Sequence, residues 1–210
     1  NSGGYTNVFT EYERGLPCVC FALATGVGKT RLMGAFIAYL NQEKGIKNFF
    51  VLAPNLTIYN KLIEDFSNPR SPKYVFPGIG DFVHRPPGII TGDTYSSRGT
   101  LPMFDESINI NVFNISKINA ETKGGKLPRI KRLSEYIGRS YFDYLSNLDD
   151  LVILMDESHH YRAERGMQVI NELNPVFGIE VTAKTKTESG GTRQFKNVVY
   201  QYGLGRAMDD

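Results

Sequence analysis

Apolar positions follow two alternating rhythms along the chain. PCVCFALA (Pro17 to Ala24) is a continuous apolar run, and beyond it Leu32, Phe36, Ile37 and Leu40 recur at helical spacing. The run reads as a buried strand of a parallel sheet. The spaced segment reads as a helix from Thr30 to Asn41, with Gly45 marking its end. The pair then repeats: NFFVLAP (Asn48 to Pro54) reads as a strand and LTIYNKLIEDF (Leu56 to Phe66) as a helix. Strand, helix, strand, helix implies parallel strands joined by right-handed crossovers.

The pattern loosens between residues 67 and 128, where Pro, Gly, Ser and Asn accumulate. Two apolar stretches there read as strands, GIITGD (Gly88 to Asp93) and INVFNI (Ile110 to Ile115). Ile130 to Leu148 reads as a helix. LVILMDE (Leu151 to Glu157) is the most apolar strand signal in the chain, GIEVTA (Gly178 to Ala183) is another strand, and NVVYQY (Asn197 to Tyr202) is a last one. No internal repeat interrupts the series.

Composition narrows the class only a little. The 210 residues are 41% hydrophobic and 22% charged, enough for one large domain with a sizeable core, or for two small ones. No apolar run approaches a membrane span and no secretory pattern opens the chain, so a cytoplasmic protein without a membrane partner is expected. The net charge of +2 means that any surface for nucleic acid must be local. Cys18 and Cys20 share one strand face at a spacing that does not suit a disulfide, and read as buried thiols. Three histidines and no CxxC leave little for zinc.

Two short stretches carry chemistry. TGVGKT (Thr25 to Thr30) lies between an expected strand and an expected helix, the setting a phosphate-binding loop needs. Gly26 and Gly28 let the backbone wrap so that N–H groups converge on an anion, and the helix N-terminus adds its dipole. Lys29 would neutralise phosphate charge and the Thr30 hydroxyl would ligate Mg2+. In G-x-x-x-x-G-K-[ST] the first glycine would fall at position 23, where this chain has Leu23. The second stretch, LVILMDESHH, delivers Asp156 and Glu157 to the C-terminal end of a buried strand, the edge at which parallel sheets bind ligands. Adjacent strand residues point apart, so Asp156 is expected to face the metal and Glu157 the attacking water.

ATGVGKT together with MDESHH resembles motifs I and II of superfamily 2 helicases and translocases. LAPNLTIYNKL resembles motif Ia, GIITGD the stretch after it, NVFNISKIN the strand before the acidic box, and VTAKT motif III. The doubled histidine followed by YRAE, and the exit VVYQYGLGRAMDD, look most like the ATPase (Res) subunit of type III restriction enzymes. The likeness covers nearly the whole chain. It implies an α/β fold: a three-layer RecA-like P-loop NTPase lobe with a mainly parallel central sheet and an irregular insertion within residues 67–128. It implies ATP and Mg2+ as cofactors, with Thr25, Gly26, Val27, Gly28, Lys29, Thr30 and Arg31 around the nucleotide, Thr30 and Asp156 on the metal, and Lys29, Asp156, Glu157 and His159 as the catalytic set. His159 would couple the site to motif III through Thr182, Ala183 and Thr185. The box reads Asp-Glu-Ser-His rather than Asp-Glu-Ala-His, and Lys184 stands where motif III usually has threonine. No Gln-containing adenine motif precedes the loop, which leaves Tyr5, Phe9 and Tyr12 as candidates to stack on adenine. His84 and His160 read as structural or surface residues.

The same likeness implies DNA as a partner, met through backbone contacts at Pro54, Asn55, Thr91, Gly92 and Ser116. A basic excess between Lys117 and Arg139, including Arg129, Lys131 and Arg132, either follows a phosphate backbone or is a solvated face. Expected partners are a second RecA-like lobe, with the chain stopping where that lobe should begin, and nuclease and methyltransferase or specificity subunits. Two other readings stay open. Asp105, Glu121 and Lys123 loosely echo a D…ExK nuclease site, although ETK falls in an expected loop. A P-loop module that binds nucleotide and switches without translocating is the other.

Overall fold

Along Cys18–Leu23 (β1), Cys18 and Cys20 are buried while Val19 and Phe21 are half-buried, the alternation of a strand in a covered sheet. The computed structural model describes residues 11–13, 15–91, 94, 107–114, 141–161, 170–184, 186–187 and 193–203. Lys29–Lys44 (α1) follows β1 and ends at Gly45, whose left-handed backbone lets its own N–H reach the Asn41 carbonyl and the Ile46 N–H reach the Leu40 carbonyl. Then come Asn48–Ala53 (β2), Leu56–Ser67 (α2), Gly80–His84 (α3), Gly88–Thr91 (β3) and Asn109–Asn114 (β4). Tyr141–Ser146 (α4), Leu151–Asp156 (β5), Phe177–Thr182 (β6), the short pair Lys186–Thr187 (β7) and Arg193–Gln194 (β8), and Val198–Tyr202 (β9) complete the order.

Seven strands form one sheet in the order β3-β4-β2-β5-β6-β1-β9, and every neighbouring pair is parallel. The alternation along β2 explains the layers. Phe49 and Val51 face one side, where Met33 and Ile37 of α1, Leu62 and Phe66 of α2 and Phe82 of α3 cover them. Phe50 and Leu52 face the other, against Tyr141, Phe142 and Leu145 of α4 and Ile170 and Leu173. Helices on both faces with a parallel sheet between them are the three-layer α/β arrangement expected from the sequence. Each fully buried Phe, Leu or Ile here contributes roughly 1.5–3 kcal/mol of transfer free energy. The two thiols are free and buried, as expected.

Several boundaries differ from the sequence reading, each for a local reason. The expected strand from Asn48 to Pro54 stops at Ala53, and Pro54 has no N–H to donate to a ladder. The expected helix from Ile130 to Leu148 appears among the described residues as Tyr141–Ser146 and closes early. The N–H groups of Asn147 and Leu148 turn back to the Tyr144 and Leu145 carbonyls, and the Asn147 side chain bonds the Asp143 carbonyl. Asn197, expected in the last strand, instead receives the Glu13 N–H on Oδ1 at 3.0 Å and donates to the Glu11 carbonyl at 3.0 Å, so β9 begins one residue later. The irregular stretch after α2 is anchored: Val75 N–H bonds the Asp65 carbonyl, and Val75 lies so close to Gly34 on α1 that an added Cβ there would sit 2.7 Å from its Cβ. Both strands expected between residues 67 and 128 form, and β4 is buried in the sheet.

Candidate active site

β1 pairs with β6 and β5 pairs with β6, so three parallel strands end side by side at one edge of the sheet. The phosphate-loop candidate leaves β1 there. Leu23, in place of a first glycine, is the last residue of that strand and is buried, so the strand continues through it and the loop starts at Thr25. Thr25, Gly26, Val27 and Gly28 are exposed, while Lys29 and Thr30 are half-buried. Gly26 (φ 89°) and Gly28 (φ 96°) are both left-handed, and a Cβ on either would meet nothing within 4 Å. Glycine is required here by backbone angle, and the space beside it is open. Gly28 caps α1 without a side-chain hydrogen bond, and no acidic residue occupies the first turn. A 16-residue helix thus presents its positive end, without a side-chain anion, to the loop.

The acidic pair sits at the end of β5. Asp156, the last strand residue, is buried, and its Oδ1 has no hydrogen-bond partner among the described residues. Burial, then the neighbouring Glu157 charge, pushes its carboxyl up to about 6, against the opposing pull of Lys29, the Glu157 backbone N–H and Lys61. The expected strand did not extend to Glu157: its φ of 50° is left-handed, and the chain turns off the sheet there into a 3-10 turn, Ser158–Tyr161. The two carboxylates therefore diverge through this turn and not through strand alternation. Such a conformation costs a non-glycine residue on the order of 1–3 kcal/mol and persists only where its surroundings hold it.

Those surroundings are visible. Glu157 Oε1 lies 2.8 Å from Lys29 Nζ, and Oε2 accepts from the Ala183 N–H at 3.3 Å and lies 3.4 Å from His159 Nδ1. Burial pushes the Glu157 carboxyl up, but Lys29, the Ala183 N–H and His159 together outweigh it and hold the carboxyl below its ordinary range. His159 Nδ1 is also 3.0 Å from Thr182 Oγ1. Thr182 Oγ1 in turn donates to the Lys184 carbonyl and accepts from the Lys184 N–H. Lys184 therefore takes part through its backbone, which explains why a side chain other than threonine fits there.

Lys61 belongs to the site and was not foreseen from sequence. It projects from α2 and donates to Thr30 Oγ1 at 3.1 Å, with Asp65 Oδ2 at 3.4 Å. The signal available was a lysine four residues before an aspartate on the helix after the second strand. A cleft of about 300 Å³ lies beside the loop, between Thr25, Ala183, Lys184 and Tyr202.

The donor set fits a hard divalent cation. Among the described residues no group of three or more His, Cys, Asp or Glu forms a metal cage. One buried carboxylate with an unpartnered oxygen and one hydroxyl are instead what Mg2+ uses when substrate phosphates and water supply the remaining ligands.

The remaining expectations divide. Arg31 is exposed on the first turn of α1, and Tyr12 and His84 are exposed. Asn55 caps α2, its side chain accepting from the Ile58 N–H at 2.9 Å, and Pro54 is buried. Thr91 is buried and bonded through its N–H and hydroxyl to Thr94 Oγ1. Pro54, Asn55 and Thr91 follow the same C-terminal sheet edge, and Asn55 and Thr91 also hold local structure there. Gly92, Ser116, Arg129, Lys131, Arg132 and Thr185 lie outside the described residues, as do Tyr5, Phe9, Asp105, Glu121 and Lys123 and the side chain of His160. No described helix is long and apolar enough to cross a membrane.

The sequence profile described as "Type III restriction enzyme, res subunit" matches residues 5–187. The chain is 28% identical over 147 residues to the "Probable type III restriction-modification enzyme HindVIP Res subunit" of Haemophilus influenzae, covering 69% of this chain and 24% of that protein. It thus spans about a quarter of the length of that relative. Among solved structures, a nuclease-deletion mutant of the Type ISP restriction-modification enzyme LlaGI, in complex with a DNA substrate mimic, superposes with a TM-score of 0.51 at 15% identity, over 91% of this chain and 18% of that one. The Sulfolobus solfataricus SWI2/SNF2 ATPase core in complex with dsDNA gives a TM-score of 0.47 at 14% identity, over 79% and 27%.

Proposed function

The chain belongs to the type III restriction enzyme res-subunit family and has the RecA-like fold of helicase ATPase cores, and on that premise we propose that it is the ATP-binding lobe of a DNA-dependent ATPase that moves on DNA. The observation that carries the reading is the junction of three strand ends. The exposed glycine loop and the free end of α1 stand beside Lys29, which is paired with Glu157, and Asp156 offers an unpartnered buried oxygen next to them.

In this reading the N–H groups around Gly26 to Arg31 and the Lys29 ammonium bind the phosphates of ATP. Lys29 leaves Glu157 for the more highly charged phosphate, and Glu157, then relieved of its cation, orients and polarises the attacking water. Thr30 and Asp156 hold Mg2+, which supplies charge neutralisation on the phosphate oxygens. His159 links Glu157 to Thr182, so a shift of the β6 end is felt at the water-positioning carboxylate. DNA runs along the edge that carries Pro54, Asn55 and Thr91, and the partners are a second lobe and the nuclease and modification subunits of a restriction system.

Phosphate release by the protein that contains this lobe, measured with and without duplex DNA, tests the reading. ATP turnover that rises with DNA and vanishes in Glu157→Gln is the expected result. Turnover indifferent to DNA would return the chain to a nucleotide-binding switch.

A further inference from the structure

Lys61 reaches the hydroxyl of Thr30 from α2. Its ammonium donates to Thr30 Oγ1 at 3.1 Å, and its charge also lowers the carboxyl of Asp156. Asp65, one turn further along α2, is buried with Oδ2 3.4 Å from the same nitrogen. The ammonium therefore stands among the hydroxyl and carboxylate that make up the candidate metal site, with a second carboxylate behind it.

We propose that Lys61 is a tethered competitor for the divalent cation: it holds the Thr30 hydroxyl oxygen and must be displaced before that oxygen ligates metal. This rests on the reading of Thr30 and Asp156 as metal ligands. A hydroxyl oxygen that accepts from an ammonium offers that lone pair to nothing else, and a dication on the same oxygen faces a like charge across one atom. Lys61 also has somewhere to go. Its side chain is 51% exposed on a flexible four-carbon stem, and Asp65 can retain the ammonium after it leaves Thr30. The swing exchanges two partners for one and sets the metal concentration at which the site loads. Lys61 thus acts as a positioning residue whose removal tightens metal binding.

The test is a Mg2+ titration of the binding of a fluorescent, non-hydrolysable ATP analogue, repeated with Mn2+ followed by its own paramagnetic signal. Wild type, Lys61→Met, Lys61→Gln and Lys61→Arg are compared. Removing the charge is expected to move the metal midpoint to lower concentration by roughly threefold to tenfold, the range left after solvent screening of a half-exposed charge. Analogue affinity at saturating metal should change little, and Lys61→Arg should stay near wild type. A midpoint unchanged or raised in both neutral variants overturns the competition while leaving the metal site standing. Wild-type binding that ignores Mg2+ and Mn2+ altogether overturns the metal site itself, and the competition with it.

Discussion

Lys29 Nζ and Glu157 Oε1 are 2.8 Å apart, so the residue expected to meet phosphate and the residue expected to meet water neutralise each other. Neither is more than 16% exposed. An ion pair this sheltered is costly to break by removing one partner, because the other charge is left without compensation.

Lys29→Ala should therefore do two things at once. It should abolish Mg-ATP binding in isothermal titration, and it should raise the Glu157 carboxyl toward its ordinary range by removing the largest stabilising contact. Wild-type affinity for nucleotide in this variant would sink the phosphate-loop assignment. A carbon-13 titration of the Glu157 carboxyl reads the second effect independently.

Asp156→Asn should make the nucleotide-free protein more stable at neutral pH. The sign follows from the raised carboxyl. A group that titrates near 6 in the fold and near 3.8 when unfolded binds its proton more tightly in the native state. Its contribution to stability is intact below about pH 4, falls as pH rises to about 6, and stays low above that. The amide does not ionise, so its advantage should grow across that window to about 1–3 kcal/mol, given about 1.4 kcal/mol per pKa unit and two units of difference. Urea midpoints from pH 4 to pH 8 in EDTA check it, and a constant gap between the two proteins would contradict it.

His159→Ala and Thr182→Val should each weaken the coupling between DNA and hydrolysis while leaving nucleotide affinity near wild type. Because His159 Nδ1 and Thr182 Oγ1 are 3.0 Å apart, the double variant should lose no more DNA stimulation than the worse single one. Steady-state rates with saturating duplex DNA in the four proteins make the comparison. Strictly additive losses would mean that the contact is incidental.

Much of this arrangement was legible in the sequence, since apolar runs mark the central parallel strands and GKT and DESH mark where two of them end. What escaped was set by contacts between distant segments. The left-handed Glu157 is not visible in LVILMDESHH, because nothing local favours φ of 50° for glutamate, and the conformation stands with Lys29, Ala183 and His159 around it. Lys61 escaped because its meeting with Thr30 depends on how α2 lies across α1. Asn55 and Thr91, read from sequence as nucleic-acid contacts, also cap a helix and close a turn, roles the sequence reading did not include.

Gly34→Ala tests the packing that sets the helices on the sheet. The new methyl would approach Val75 Cβ to 2.7 Å and the Val75 carbonyl oxygen to 3.4 Å. Overpacking of this kind costs about 1–3 kcal/mol despite the better helix propensity of alanine. Adding Val75→Ala should recover part of the loss in chemical denaturation. An unchanged midpoint in Gly34→Ala alone would show that the two segments yield freely.

The strand that carries the phosphate loop is made before both its sheet neighbours, Phe177–Thr182 and Val198–Tyr202, which lie far along the sequence from it. Until those segments leave the ribosome, Cys18 to Leu23 has no ladder to join, and closing contacts over so long a stretch of chain is slow. The loop sequence is therefore present, with the loop itself unformed, until those two strands have been made. Nucleotide can reward folding of this sheet only once the later strands lock the earlier one in place. Stalled chains released before residue 177 should wash through immobilised ATP, and chains extended past residue 203 should be held.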